Sequence, residues 1–485
     1  MVLVAPLQYL STRDATATPL TASFDEVLLA GLAPDGGLYV PRRIPTLAPA
    51  EIAGLAGLSY GELAARIIAP FTGTRIGGVP LASLIADSYA GFGHQAVAPL
   101  KELDSGLWLM ELFHGPTLAF KDYALQLVGR LFDALLNERG ERVTIVGATS
   151  GDTGSAAIEA CRDRDAIDLF ILYPQGRVSE VQRRQMTTVA SANVHAIAVA
   201  GTFDDCQDLV KAMFADREFR DRLNLSAVNS INWARIVGQI VYYFAAAVAL
   251  GAPHRPVSFS VPTGNFGNVY AAHMARRMGL PIAQLVVATN RNDILARFLT
   301  DGRMTIGHVE PSLSPSMDIQ VSSNFERFLF ELKGESGTAV AAAMRQFRTT
   351  GSLPVSEAEW HAAQRLFTGY RVDDAGTRES IATSWRASGE LLDPHSAVAV
   401  AAARAVRRDK AAPMVALACA HAAKFPDAVE AATGVRPPLP PHLADLMTRR
   451  ERIALLPNDI AAVQRYVSDH ARPIAVPPRR VGGAA

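Results

Sequence analysis

VSFSVPTGNFGNVYAAHMARRMG (residues 257–279) decides the fold. A strand ends at Pro262, the loop Gly264-Asn265-Phe266-Gly267-Asn268 follows, and a helix begins. The first N–H groups of a helix lack intrahelical partners and carry the positive end of its dipole. Two glycines let the backbone close around an anion, which is the geometry of a phosphate cradle. An ordinary strand-to-helix turn accounts for the same spacing. No Gly-Lys-Ser/Thr follows and the spacing is not Gly-x-Gly-x-x-Gly, so neither a Walker A loop nor a dinucleotide site is indicated.

Working outward, VTIVGATSGDTGSAAIEA (residues 143–160) repeats the pattern of strand, polar loop and helix. Ser150, Gly151, Asp152, Thr153 and Gly154 form a loop able to hold a carboxylate; equally, Ser150, Asp152 or Thr153 is simply an N-cap. Further strand patterns run over 107–113, 167–173, 194–199, 285–289 and 414–420. Helical periods run over 121–136, 204–215, 231–250, 268–278 and 396–406. This alternation predicts an α/β fold of doubly wound parallel sheet. Residues 1–95, rich in Gly, Pro and Ala, read as an N-terminal accessory domain with a turn at Pro34-Asp35-Gly36-Gly37 and a helix across 50–70. Residues 96–430 form the α/β region, in which 290–390 read as mostly helical. Residues 431–485 are a Pro-rich extension, and the closing VPPRRVGGAA is expected to be mobile.

A third stretch, ELFHGPTLAFKDYALQ (residues 111–126), puts Lys121 where a loop becomes a helix. The positive helix end disfavours a cation and so favours the neutral amine that Schiff-base chemistry needs. The chain has only six lysines, at 101, 121, 211, 333, 410 and 424. Lys424, just after a buried strand, is the rival to Lys121; the others lie in polar surroundings.

Composition removes other classes. The 485 residues carry 47 basic and 47 acidic side chains, so no surplus positive charge exists to bind a phosphate backbone, and no nucleic-acid partner is expected. The three cysteines, Cys161, Cys206 and Cys419, form no CxxC pair, which argues against a disulfide framework or a cysteine zinc site and fits a reducing cytoplasm. The N-terminus lacks a signal-peptide pattern, and the most apolar run, 236–250, is interrupted by Gln239 and short for a bilayer, so no membrane partner is expected. There is no HExxH and no GxSxG, so no metal site and no hydrolase nucleophile is anchored.

Taken together, the three motifs resemble pyridoxal-phosphate enzymes of fold-type II, and the chain resembles the threonine synthase family over nearly its whole length. YLSTRD (9–14) and SFDEVLLAGLAPDGGLYVP (23–41) resemble that family's N-terminal domain, and FHGPTLAFKD (113–122) its lysine motif. ATSGDTGSAA (148–157), RRQMTT (183–188), GTFDDCQ (201–207), NSINWARIVGQIVYYF (229–244), PTGNFGN (262–268), SPSMDIQVSSNFERFLFEL (314–332) and DPHSAVAV (393–400) follow in family order.

The resemblance implies two α/β subdomains with pyridoxal 5'-phosphate between them, Lys121 as the Schiff-base lysine, and the loop at 264–268 on the cofactor phosphate. It further implies Ser150, Gly151, Asp152, Thr153 and Gly154 on the substrate carboxylate, with Asn229, Ser230, Asn232 and Arg235 as candidates for the substrate phosphate. An arginine fork suits a phosphate dianion. Where the family has a hydroxyl residue before Ala-His-Pro-Ala-Lys-Phe, this chain reads CAHAAKF (419–425), which places the Cys419 thiol at the pyridine nitrogen. The implied activity converts O-phospho-L-homoserine and water to L-threonine and phosphate in the cytoplasm, as a monomer or small homo-oligomer. Two rival readings are a related phospholyase that releases a 2-oxo acid and ammonia, and a catalytically dead binding module.

Overall fold

The computed structural model describes residues 6–227 and 230–473. They fall into two compact units. The larger holds the described residues up to Thr74 together with Ile85–Ala124 and Ser230–Pro438; the smaller holds Arg75–Leu84, the described residues of 125–229, and those from Leu439 onward.

The larger unit is built on a six-stranded sheet. Its strands lie in the order Phe367–Arg371, Ile282–Thr289, Val257–Pro262, Met414–Ala418, Leu107–Glu111, Leu100–Asp104. The first five run parallel, and the last pairs antiparallel with its neighbour. All six residues of Val257–Pro262 are buried. A central parallel strand is covered on both faces, which is why its sequence shows no alternation. Helix Pro394–Val406 packs against this strand, and the Ser260 hydroxyl donates to the Ala399 carbonyl at 2.7 Å. Buried alanines at 397, 399, 402 and 403 let that helix approach closely.

Two expectations within this unit need correction. The helix expected across 50–70 is two helices, Pro49–Ala53 and Tyr60–Thr72. Gly57, at φ +79°, breaks the run. Ser59 then starts the second helix with a reciprocal capping box to Glu62. The segment 290–390 is mostly helical as expected, with loops between its helices, but it also contributes the strand Phe367–Arg371, which holds the sheet edge. A Cβ at its Gly369 would lie 3.1 Å from the Ala296 backbone, so the glycine admits helix Ile294–Asp301 against the strand.

The smaller unit carries a five-stranded, all-parallel sheet in the order Leu225–Ser226, Val143–Ala148, Ile167–Pro174, Val194–Ala200, Ala454–Pro457. The last strand comes from the stretch read as a Pro-rich extension. It pairs with Val194–Ala200, and the helix Ile460–His470 lays Val463 and Val467 into the core shared with Phe170, Leu172 and Cys206. Arg472 locks this end down, its Nε donating to Asp168 at 2.6 Å. VPPRRVGGAA lies outside the described residues. No helix among the described residues is long and apolar enough to cross a membrane.

Candidate active site

Lys121 is the first residue of helix Lys121–Arg139 and is largely buried. The loop leading to it is fixed against the end of strand Met414–Ala418. Phe120 N–H donates to the Cys419 carbonyl at 2.8 Å, and His421 N–H to the Leu118 carbonyl at 3.0 Å. Leu118 takes φ +63°, a conformation that these two bonds hold in place. Asp122 closes the loop from the other side, accepting from Thr117 N–H at 2.8 Å and Thr117 Oγ1 at 2.7 Å. Burial pushes the Asp122 carboxyl up to about 6, opposed by the Thr117 bonds and the nearby Lys424 charge. Lys121 Nζ lies 3.4 Å from Ser316 Oγ. The rival Lys424 is fully buried and donates to the Thr117 carbonyl at 2.7 Å, which makes it a structural tie of the same loop.

The glycine-rich loop follows the central strand as expected, and helix Gly267–Arg277 begins inside it. Phe266 adopts a left-handed φ of +62°, and its ring turns into a cluster with Phe325, Phe328 and Phe367. The loop backbone is held from behind. Ser322 Oγ donates to the Gly264 carbonyl at 2.7 Å, and both Asn324 N–H and Nδ2 donate to the Asn265 carbonyl at 3.1 Å. Asn324 is itself oriented by Arg327, a fully buried cation that also donates to the Tyr39 carbonyl at 2.9 Å. A Cβ at Gly264 would sit 3.0 Å from the Ser316 carbonyl, so this glycine lets the loop close on the segment that faces Lys121.

Asn268 Oδ1 accepts from the hydroxyls of Tyr242 and Tyr243, the latter at 2.7 Å. That fixes its Nδ2 toward the Cys419 thiol, 3.9 Å away. Lys121, the loop at 264–268 and Cys419 are thereby brought together in one unit, along with Ser316, Asn324, Tyr242 and Tyr243, to which sequence reasoning assigned no role. The sole sequence signal for these was their position inside the SPSMDIQVSSNFERFLFEL and QIVYYF runs.

Of the phosphate candidates, Arg235 stands out. It is buried, and its Nε and Nη1 have no hydrogen-bond partner among the described residues. Burial pushes its guanidinium down to about 10. A buried, unpaired cation is costly and calls for an anion. Its helix, Trp233–Ala249, touches the first turn of the Lys121 helix, where a Cβ at Gly238 would lie 3.2 Å from Ala124 Cα. The Asn232 amide is already engaged, capping the helix at Ala234 N–H (3.0 Å) and donating to the Leu28 carbonyl (2.8 Å). The Ser230 carbonyl accepts from Asn324 Nδ2 at 3.1 Å. Asn229 lies outside the described residues.

In the smaller unit, Ser150 to Gly154 form the expected loop, opening helix Asp152–Cys161. Gly151 takes φ +133°, and Thr149 Oγ1 accepts from Gly151 N–H at 3.0 Å and Gly154 N–H at 2.8 Å. A Cβ at Gly154 would lie 2.4 Å from Thr149 Cγ2, so the turn admits only glycine there. The Asp152 carboxylate accepts from Gln182 Nε2 at 2.9 Å, while Thr153 and Ser150 stay partly exposed.

These features fit a pyridoxal-phosphate site: a lysine at a helix start, a braced glycine-rich loop, and a buried guanidinium with no counter-ion among the described residues. Comparison with known proteins agrees along the chain. Residues 8–89 match the family model for the threonine synthase N terminus, 93–351 that for pyridoxal-phosphate dependent enzymes, and 396–467 that for the threonine synthase C-terminal region. A threonine synthase from Pseudomonas aeruginosa is 57% identical over 96% of this chain and 98% of its own length. The crystal structure of PLP-bound threonine synthase from Brucella melitensis superposes with a TM-score of 0.93 at 52% identity, covering 96% of this chain and all of that one. The yeast threonine synthase structure gives a TM-score of 0.91 at 40% identity, covering 96% and 98%. With the lysine, the loop and the full-length likeness in agreement, this chain belongs to the threonine synthase family.

Proposed function

We propose that this protein is a pyridoxal-phosphate-dependent lyase that converts O-phospho-L-homoserine and water to L-threonine and phosphate. The observation that carries the substrate choice is Arg235, whose buried Nε and Nη1, without a partner among the described residues, ask for an anion such as the substrate's phosphate ester. Plain homoserine leaves that charge uncompensated, so it binds more weakly.

When bound, the cofactor supplies an electron sink for negative charge developing at the substrate's α and β carbons. The chain's own residues do the rest. Lys121 would hold the cofactor through Nζ and, with that nitrogen freed, would take up and return protons there, first from the substrate's Cα and then at the β position. Ser316 Oγ holds Nζ in place between these transfers. The backbone at 264–268, with its left-handed Phe266 and positive helix end, receives the cofactor phosphate. Asn268 and Cys419, 3.9 Å apart, would face the cofactor ring, Cys419 on the side of its pyridine nitrogen. Ser150 to Gly154 hold the substrate carboxylate at the helix start, while Arg235 and Ser230 receive the phosphate that leaves.

The test is product analysis on the purified full-length chain with phosphohomoserine. Threonine and phosphate in equal amounts support the reading. Release of 2-oxobutyrate and ammonia in place of threonine would assign the phospholyase, and absence of both products would leave a binding module.

A further inference from the structure

One fully buried carboxylate has no part in the function described above. Asp393 precedes helix Pro394–Val406 and gathers four donors. Its Oδ1 accepts from the His395 N–H at 2.9 Å and meets His395 Nδ1 at 2.8 Å. Its Oδ2 accepts from Ser396 N–H at 3.2 Å and from the Ser396 hydroxyl. A carboxylate can only accept, so Nδ1 is the protonated nitrogen of His395. Nε2 of the neutral ring is then an acceptor, and it takes the Ser316 N–H at 3.3 Å. Ser316 is the residue whose Oγ lies 3.4 Å from Lys121 Nζ.

The second arm leads to the same place. Ser396 Oγ, whose O–H donates to Asp393, accepts the Cys419 N–H at 3.0 Å. The Cys419 carbonyl accepts the Phe120 N–H at 2.8 Å. Two chains of hydrogen bonds thus leave one carboxylate and end on either side of Lys121. One fixes the backbone of the residue before it, and the other fixes the backbone of Ser316, whose hydroxyl its amine touches. A helix cap alone would use the His395 and Ser396 N–H groups and nothing from the His395 ring. The ring of His395 is further fixed by Phe425, 4.9 Å away.

We propose that Asp393 and His395 are positioning residues for Lys121, with His395 acting through Ser316 to set where the lysine amine stands. This rests on the assignment of Lys121 as the cofactor-bearing residue. Substitution of Asp393 risks the helix start itself, so the test uses His395, with the cap intact. In His395→Asn the side-chain amide can still donate to Asp393 but does not reach Ser316. In His395→Gln the amide oxygen reaches toward Ser316 N–H and restores the acceptor.

The full-length chain is stripped of cofactor and reloaded with pyridoxal phosphate, following the visible absorbance band, with borohydride reduction and peptide mapping to locate the attachment. Loading rate and kcat of His395→Asn should both fall roughly tenfold to a hundredfold, the scale of a ~1 Å misplacement. KM should change little, the thermal midpoint should hold within about 5 °C, and His395→Gln should recover most of the loss. Wild-type loading in His395→Asn, or equal losses in both variants tracking a drop in thermal midpoint, overturns the proposal. Label on a lysine other than Lys121 in the unsubstituted chain overturns the lysine assignment first, and so separates the two failures.

Discussion

The amide of Phe120 donates a 2.8 Å hydrogen bond to the carbonyl of Cys419, tying the residue before the candidate lysine to the residue that ends a central strand. Through this bond the sheet, and not the helix that follows, sets the position of Lys121. It also puts the Cys419 side chain in the lysine's neighbourhood, opposite Asn268.

Lys121→Ala should abolish turnover and covalent attachment of the cofactor while leaving the fold largely intact, because the contact of Nζ with Ser316 Oγ is long, at 3.4 Å, and the loop before it is held by backbone bonds and by Asp122. Borohydride reduction with peptide mapping reads this out. Label on Lys424 in the wild-type chain would be fatal to the assignment, though that ammonium is already committed to the Thr117 carbonyl at 2.7 Å.

Gly267→Val should weaken both cofactor binding and the fold. A Cβ there would lie 3.2 Å from Asn324 Nδ2 and 3.6 Å from Ile236 Cδ1. The extra methyls push on the amide that braces Asn265, at a cost of about 1–3 kcal/mol. Thermal midpoints with and without pyridoxal phosphate separate the two effects. Unchanged stability of the cofactor-free chain would contradict the packing seen at this glycine.

Arg235→Met should stabilise the unliganded protein and damage substrate binding. Removing a buried guanidinium with two nitrogens unpartnered among the described residues relieves about 1–3 kcal/mol. Loss of a charge-assisted contact should raise KM for phosphohomoserine by about 10-fold to 100-fold. A lower thermal midpoint with an unaltered KM would instead mark Arg235 as structural.

Cys419→Ser should be tolerated within about 1 kcal/mol, since a hydroxyl can take the Asn268 Nδ2 donor that now points at the thiol. Cys419→Asp should be harmful: it buries a carboxylate beside the cofactor ring and favours protonation of the pyridine nitrogen. The ratio of threonine to 2-oxobutyrate, with the visible spectrum, tests both. Wild-type behaviour of Cys419→Asp would show that residue 419 does not face the ring.

His195→Phe should flatten the acid limb of the stability curve. His195 stacks on Phe170 at 4.5 Å, and its Nε2 is buried with no partner among the described residues. Burial pushes its pKa down to about 4, helped by the neighbouring His470 and opposed by Asp168. A folded-state value below the unfolded one means the unfolded chain binds the proton more tightly. The contribution is therefore complete above about pH 6.5 and is lost as pH falls through about 4, worth roughly 2 kcal/mol. Thermal midpoints at pH 7.5 and 4.5 check it. An unchanged difference between the two pH values in His195→Phe would refute it.

The sequence by itself determined the parallel α/β architecture, because buried strands such as VSFSVP and amphipathic helices such as 204–215 declare their burial through local pattern alone. It likewise singled out Lys121, through the scarcity of lysines and its place at a helix start, and the loop at 264–268, through two glycines after a strand. Local pattern could not show that Ala454–Pro457 completes the five-stranded sheet, since four residues carry too little periodicity and their partner strand lies some 250 residues earlier in the chain. Nor could it show what Asp393, His395 and Ser316 do, because Ser316 and His395 are 79 residues apart. Tertiary structure alone left Arg235 Nε and Nη1 without a partner among the described residues while engaging the neighbouring Asn232 as a cap. Which of two polar residues on one segment stays unsatisfied depends on what the rest of the chain brings to each, and that is a property of packing.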